Sequence, residues 1–152
     1  MRKQYDFLVI GSGIAGLSFA LKAATYGKVC IVTKGKAEES ATKYAQGGIA
    51  AVTYTPDSYE KHIRDTLIAG DDLNDEKIVR MTITEAPDRI KELVEYGVEF
   101  DRNESGKYDL AKEGGHSEFR VLHHKDQTGL EIERILLNRV HENQNIEILE
   151  KH

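Results

Sequence analysis

Gly11, Gly13 and Gly16, in the stretch Gly11-Ser12-Gly13-Ile14-Ala15-Gly16, have the G-x-G-x-x-G spacing that can cradle a pyrophosphate. The first glycine allows a tight turn, the second lets a phosphate approach bare backbone, and the third lets helix and strand pack closely. The anion then sits on free N–H groups at the positive end of a helix. Such chemistry needs a strand before the turn and a helix after it. Asp6-Phe7-Leu8-Val9-Ile10 reads as a buried strand, and Ile14, Leu17, Ala20, Leu21 and Ala24 recur at helical spacing. A second apolar run, Val29-Cys30-Ile31-Val32, follows Gly27 at the distance a βαβ unit needs.

A nicotinamide site would place an Asp or Glu about 20 residues on, at the end of the second strand, to accept hydrogen bonds from ribose. Thr33-Lys34 holds that place. A lysine cannot accept those bonds, although the Thr33 hydroxyl can, and Glu38 and Glu39 lie well into the next loop. The residues therefore disfavour ordinary NAD and favour another adenine dinucleotide.

At 152 residues, with 39% hydrophobic and 31% charged residues, the chain suits one soluble globular domain with a real core. A formal charge of -5, with no basic stripe, argues against nucleic acid as a partner. The single cysteine, Cys30, can form no internal disulfide and reads as a small buried apolar residue, which suits a reducing cytoplasm. The apolar opening is broken by glycines, Ser12, Ser18 and Lys22 and preceded only by Arg2 and Lys3. It therefore reads neither as a targeting segment nor as a membrane span.

Beyond the first βαβ unit, a polar stretch from Lys34 to Tyr44 leads into Ala45-Gln46-Gly47-Gly48-Ile49-Ala50-Ala51-Val52. The paired glycines suggest backbone pressed against something flat or bulky, sharing a ligand with the first turn. Tyr59, His62, Ile63, Thr66 and Leu67 predict one helix, with His62 partly packed at the surface. Ile78 and Met81 predict a second helix capped by Asn74 or Asp75. Pro87 is expected to open a third, bearing Ile90, Leu93 and Val94 and ended by Gly97. Residues 103–112 read as a hairpin or excursion. Thr128 and Glu131 offer a capping box for a helix carrying Ile132, Ile135, Leu136 and Val140, and residues 145–150 alternate like a strand. His116, His123, His124 and Asp126 invite a metal reading. Adjacent histidines in a strand point to opposite faces and no second cluster completes a site, so they are read as pocket-shaping residues and no metal ligand is assigned, a metal site being the lesser alternative. Ser117 lacks the elbow turn and ordered base of a nucleophile.

Four segments carry a family resemblance: GSGIAGLS at 11–18, TKGKAEESATKYAQGGIAAV at 33–52, DTLIAGDDLND at 65–75 and EGGHSEFRVLHHKDQTGLEI at 113–132. In order and across nearly the whole chain they resemble the L-aspartate oxidase family, within the succinate dehydrogenase and fumarate reductase flavoprotein superfamily. The resemblance implies an α/β fold, a Rossmann-like FAD-binding domain opened by a βαβ unit and incomplete because the chain is truncated. Residues 1–152 would be the N-terminal portion of that domain, with the capping domain and the helical C-terminal domain absent.

The cofactor implied is FAD, contacted at Gly11, Ser12, Gly13, Ile14, Ala15 and Gly16, with Lys34 in place of the acid. Ala41, Thr42, Lys43, Tyr44, Ala45, Gln46, Gly47 and Gly48 are expected to lie against it. The flavoprotein subunits of succinate dehydrogenase and fumarate reductase resemble this chain too, but hold flavin covalently through a histidine. Counting back from Gln46-Gly47-Gly48, that position is Ala41, so the resemblance implies noncovalent FAD. Glu113 matches the family glutamate that orients the substrate amino group, a logical partner for an ammonium that aspartate has and succinate lacks. The implied enzyme oxidises L-aspartate to iminoaspartate in quinolinate and NAD biosynthesis, with oxygen or fumarate as electron acceptor and quinolinate synthase as a pathway partner. The family's catalytic arginine and histidine fall beyond His152, so no catalytic residue is assigned and the chain alone is expected to be inactive. A fumarate reductase or succinate dehydrogenase-type flavoprotein, or a noncatalytic dinucleotide-binding fragment, are the alternatives.

Overall fold

The apolar runs read from the sequence assemble into two compact units in the computed structural model, which describes residues 3–152; Met1 and Arg2 lie outside the described residues. Unit 1 comprises residues 1–46 and 127–152, and unit 2 residues 47–126.

Unit 1 is built on a parallel three-stranded sheet, β1 (Phe7–Ile10), β2 (Val29–Thr33) and β6 (Ile146–Glu150), in the order β1-β2-β6. Helix α1 (Ile14–Ala23) makes the crossover from β1 to β2, which pair in the register Phe7↔Val29 and Val9↔Ile31. Strand β6 adds on the far side of β2, with Ile31 opposite Ile148, after helix α4 (Thr128–Glu142). Strand pleating sends Phe7 and Val9 to one face, where Phe7 meets Phe19 of α1 edge-on with centroids 6.4 Å apart. Leu8 and Ile10 point the other way and are 64% and 84% exposed, so β1 is half-buried rather than buried. Central β2 is the buried strand. Its Cys30 is packed away, and burial raises the thiol pKa, with the Glu147 carboxylate adding to the rise.

Unit 2 contains short strands β3 (Ile49–Ala50), β4 (Leu110–Ala111) and β5 (Val121–Leu122) in an antiparallel sheet of order β3-β5-β4. Helices α2 (Tyr59–Ala69) and α3 (Glu76–Tyr96) pack on each other. The caps follow from the sequence. Ser58 accepts from the Lys61 amide, Asp75 from those of Lys77 and Ile78, and Gly97 closes α3 in the left-handed region at φ 111°. Asn74 serves the other end of α2, donating to the Thr66 and Leu67 carbonyls.

Three expectations are corrected. Pro87 lies inside one continuous 21-residue helix instead of opening a third. The buried stripe of Ile83, Ile90 and Leu93 runs through the proline, so tertiary burial offsets the lost backbone bond. Ile78 and Met81, off that stripe, are exposed. The capping box of α4 does not form: the N-cap is Gln127, and the Glu131 carboxylate turns to Arg134 at 2.8 Å. Residues 103–107 do form the tight excursion expected, with Asn103 and Lys107 bonded through backbone and Arg102 bridged to Tyr108. Among the described residues no helix is long and apolar enough to cross a membrane.

Candidate functional site

The glycine turn in unit 1 is shaped by backbone geometry. Gly11 sits at φ 102° and its N–H donates to the Val32 carbonyl at 2.8 Å, tying the turn to the end of β2. A Cβ on Gly16 would come within 2.2 Å of the Gly11 carbonyl oxygen, so helix and turn approach as only glycine allows. Gly13 is the N-cap of α1. It supplies no side-chain cap, and no acidic residue stands in the first turn, so apart from the Ile14 N–H, which Thr42 takes, the first-turn amides are left for an outside anion. A Cβ on Gly11 would meet open space. These residues fit a dinucleotide pyrophosphate.

At the end of β2, Thr33 is buried and its hydroxyl accepts from Ser12 at 3.3 Å. It is therefore occupied inside the fold instead of offered to a ribose, while Lys34 beyond it is exposed. Glu39 is also engaged: Lys43 first and Tyr44 second, each at 2.6 Å, hold its carboxyl below the usual carboxylate range.

The polar loop after β2 is folded back onto the glycine turn. Thr42 Oγ1 accepts the Ile14 N–H at 3.0 Å, the first amide of α1, and the Thr42 N–H donates to Ser40 Oγ at 3.1 Å. The Thr42 carbonyl takes the Ala45 amide, and the Ala45 carbonyl takes that of Gly129. Gly129 is glycine for a steric reason, since a Cβ there would lie 1.8 Å from the Thr42 carbonyl oxygen. Ala41, Tyr44, Ala45 and Gln46 are exposed. Gly47 and Gly48 belong to unit 2. A Cβ on Gly48 would fall 2.0 Å from the Leu122 carbonyl oxygen, so the body pressing on this glycine is the protein's own β5.

The second dense region, also in unit 2, is organised by charge. Arg120 is fully buried and grips Asp57 with two bonds, Nε to Oδ2 at 2.9 Å and Nη2 to Oδ1 at 2.8 Å. Its Nη1 donates to Asp65 Oδ2 at 2.6 Å, and the same oxygen accepts the Ser117 amide and hydroxyl, both at 2.7 Å. Burial pushes the Asp65 carboxyl up, but hydrogen bonds from Ser117 and Arg120 outweigh it and hold the group down at about 2. Ser117 is thus a loop anchor. Glu113, at the start of that loop, is exposed; its carbonyl accepts the His116 amide at 3.1 Å, and Gly115 takes φ 87°.

His62 is buried, against expectation. Its ring meets that of His116 edge-on at 6.0 Å, and the Nδ1 atoms of both rings are buried without a partner. Burial, then Arg120 and His116, hold the His62 imidazole below its ordinary value. His123 Nδ1 lies 3.2 Å from Asp101, and His124 Nδ1 lies 2.8 Å from the Glu99 carbonyl. Among the described residues no group of three or more His, Cys, Asp or Glu is placed to hold a metal ion.

Sequence reasoning missed Arg120, Asp57, Asp65, Ser40 and Glu133. Two of them carried a signal: Arg120 stands directly before the apolar pair Val121-Leu122, and Glu133 falls on the apolar stripe of α4 with Ile132, Leu136 and Leu137.

Comparison with known proteins agrees with this geometry. Residues 6–152 match the family model described as FAD binding domain. The chain is 51% identical over 150 residues to a chloroplastic L-aspartate oxidase of Arabidopsis thaliana, covering 99% of this chain and 23% of that protein. It is 48% identical to the L-aspartate oxidase of Vibrio cholerae, covering 98% and 29%. Among solved structures, a variant of E. coli quinol fumarate reductase FrdA superposes with TM-score 0.91 at 28% identity, over 98% of this chain and 26% of that one. Mycobacterium smegmatis Sdh1 in complex with UQ1 superposes at 0.89 and 36% identity, over 99% and 28%. The chain thus spans about a quarter of the length of the relatives it matches. The match over residues 6–152, together with the parallel sheet and the glycine turn at the start of α1, shows that the chain belongs to the FAD binding domain family.

Proposed function

We propose that this chain is the N-terminal portion of the FAD-binding domain of an L-aspartate oxidase, which converts L-aspartate to iminoaspartate. The observation that carries the reading is the identity gradient: 42–51% to L-aspartate oxidases along nearly the whole chain, against 28–36% for the fumarate reductase and Sdh1 structures. Ala41 supports it, because a methyl side chain offers no nitrogen for a covalent flavin link. FAD is then held noncovalently.

The chain's own residues would bind and orient. The α1 end at Gly13, Ile14 and Ala15, with Gly11, Ser12 and Gly16 shaping the turn, would take the pyrophosphate. Lys34 stands where the ribose acid would be, and Ala41 to Gln46, with Gly47 and Gly48, would lie along the cofactor. Glu113 would receive the substrate ammonium, a charge-assisted contact that aspartate makes and succinate cannot. FAD, held by these residues, would supply the acceptor for the hydride leaving the substrate α-carbon, with oxygen or fumarate as the onward electron acceptor. The iminoaspartate would pass to quinolinate synthase.

Titration of the purified chain with FAD tests the cradle: a saturable shift in the flavin spectrum is expected, with the flavin released into the supernatant by acid. Flavin retained on the precipitated protein would favour the covalent, succinate dehydrogenase type; no spectral shift would leave a noncatalytic scaffold. In the complete enzyme, Glu113→Gln should raise KM for L-aspartate about 10- to 100-fold, the worth of one charge-assisted hydrogen bond, with little effect on fumarate. Equal losses for both would remove Glu113 from ammonium recognition.

A further inference from the structure

Helix α4 buries a carboxylate in the middle of its apolar stripe. Glu133 is 2% exposed, next to Ile132 and followed one turn later by Leu136 and Leu137. A leucine would pack there without the cost of desolvating a carboxyl group, so packing does not explain the residue. Its bonds do. Glu133 Oε2 accepts the Ser40 hydroxyl, and the backbone of Lys43 is close enough to help lower the pKa of the same carboxyl group. Ser40 Oγ, its own proton given to Glu133, accepts the Thr42 amide at 3.1 Å; Thr42 Oγ1 accepts the Ile14 amide at 3.0 Å. The relay therefore runs from the interior of α4, through residues 40–43, to the first N–H of α1.

We propose that Glu133 is a positioning residue for the cofactor: a buried anchor that fixes residues 40–45 against the amide end of α1, where the dinucleotide pyrophosphate would bind. The proposal rests on the FAD reading for its ligand but not for its geometry. The donors all point one way, from the Ile14 amide toward Glu133, so the carboxyl group is the terminal acceptor of the relay. Burial raises the Glu133 carboxyl pKa, and the Ser40 hydroxyl and the Lys43 backbone counter that rise. Oε1 is buried with no hydrogen-bond partner, so the group meets the loop through the Ser40 bond on Oε2. Such an anchor has a defined failure. Without it, Ser40 loses its acceptor, Thr42 loses its fixed partner, and the loop leaves the helix end while the sheet and α4 remain packed.

Amide hydrogen exchange on the chain without FAD reads the anchor directly. Glu133→Leu and Ser40→Ala should each speed exchange at Thr42, Ala45 and Gly129 about tenfold or more, with Ile31 and Leu136 unchanged. Glu133→Gln, whose amide oxygen still accepts from Ser40, should restore protection, and the Ser40→Ala, Glu133→Leu double variant should be no worse than either single one. FAD titration should show the dissociation constant raised about tenfold in Glu133→Leu and close to wild type in Glu133→Gln. Loop exchange unchanged by Glu133→Leu, or exchange raised equally at Ile31 and Leu136, would overturn the proposal. If the loop is released as expected but the wild-type chain takes up no FAD, the FAD reading fails and the anchor stands as a loop-fixing device.

Discussion

The two units aim their functional groups by different means, although each also buries a charged anchor. In unit 1 the largest fully buried side chains are Leu17, Val29, Ile31, Leu136 and Val140, with Thr128 and Glu133 as polar exceptions; in unit 2 they are Arg120, a guanidinium, and Leu122. The difference follows from what each must present. The glycine turn offers backbone N–H groups, and a strand and a helix packed by non-directional apolar burial already aim them. The Glu113 loop has no regular structure to aim it. Directional bonds do that work, with Arg120 locked on Asp57 and Asp65 holding Ser117.

The strongest way to break this contrast is to unpair the guanidinium. Asp57→Ala should cost unit 2 about 3–5 kcal/mol, because Arg120 would stay buried and lose its bidentate partner. Replacing the pair together, Asp57→Leu with Arg120→Met, should restore most of that stability. Asp65→Ala should leave the Ser117 amide unprotected, and protection surviving that change would mean the ionic cluster does not hold the loop. The matching change in unit 1, Leu17→Ala, should cost about 3 kcal/mol through lost burial and a cavity, read as a lower urea midpoint.

Acid should divide the units next. Folding lowers the Asp65 carboxyl from 3.8 to about 2, so its stabilisation is complete above pH 3.8 and drains as pH falls through about 2. The loss is at most about 2 kcal/mol, and it should appear first as faster exchange at Ser117. His62 acts at milder acidity. Its folded value is below the ordinary 6.5, so the unfolded chain takes the proton first, and stability is full above pH 6.5 and falls below it. His62→Gln should flatten that slope near pH 6. A slope unchanged by the substitution would assign the titration to another group.

What could be read in advance divides along the same line. Backbone-driven features carry local signatures: the glycine spacing, the β2 run, the Asp75 and Gly97 ends of α3, and the alternation of β6. Pro87 misled because the stripe of Ile83, Ile90 and Leu93 that carries the helix through it is a tertiary fact. The anchors were hidden for a related reason. Arg120 is far in sequence from Asp57 and Asp65, and all three look like ordinary solvated charges until the fold removes water from around them. His62 lies on the predicted helical face, yet only its meeting with His116 marks it as buried. Gly48 was legible as a close approach and read as one to a shared ligand, whereas the atom a Cβ would strike is the Leu122 carbonyl oxygen.

The smallest effect on stability separates the two units most clearly in purpose. In unit 2, Ser58 caps α2 with its hydroxyl, and Ser58→Ala should cost about 1 kcal/mol. In unit 1, Gly13 adds no side-chain cap of its own to α1 although nothing steric requires it, and Thr42 takes only the Ile14 amide. Its φ of -75° and ψ of 177° suit any residue, and a Cβ would meet Thr42 Oγ1 at an ordinary 3.5 Å. Gly13→Ser should therefore fold and gain a few tenths of a kcal/mol, because the new hydroxyl accepts from an amide of the first turn. The same hydroxyl stands where a phosphate oxygen would approach, so FAD affinity should fall even as the melting temperature rises. That opposition is the expected signature of first-turn amides kept for a ligand. A variant with a higher melting temperature and undiminished FAD affinity would show that these amides have no part in binding.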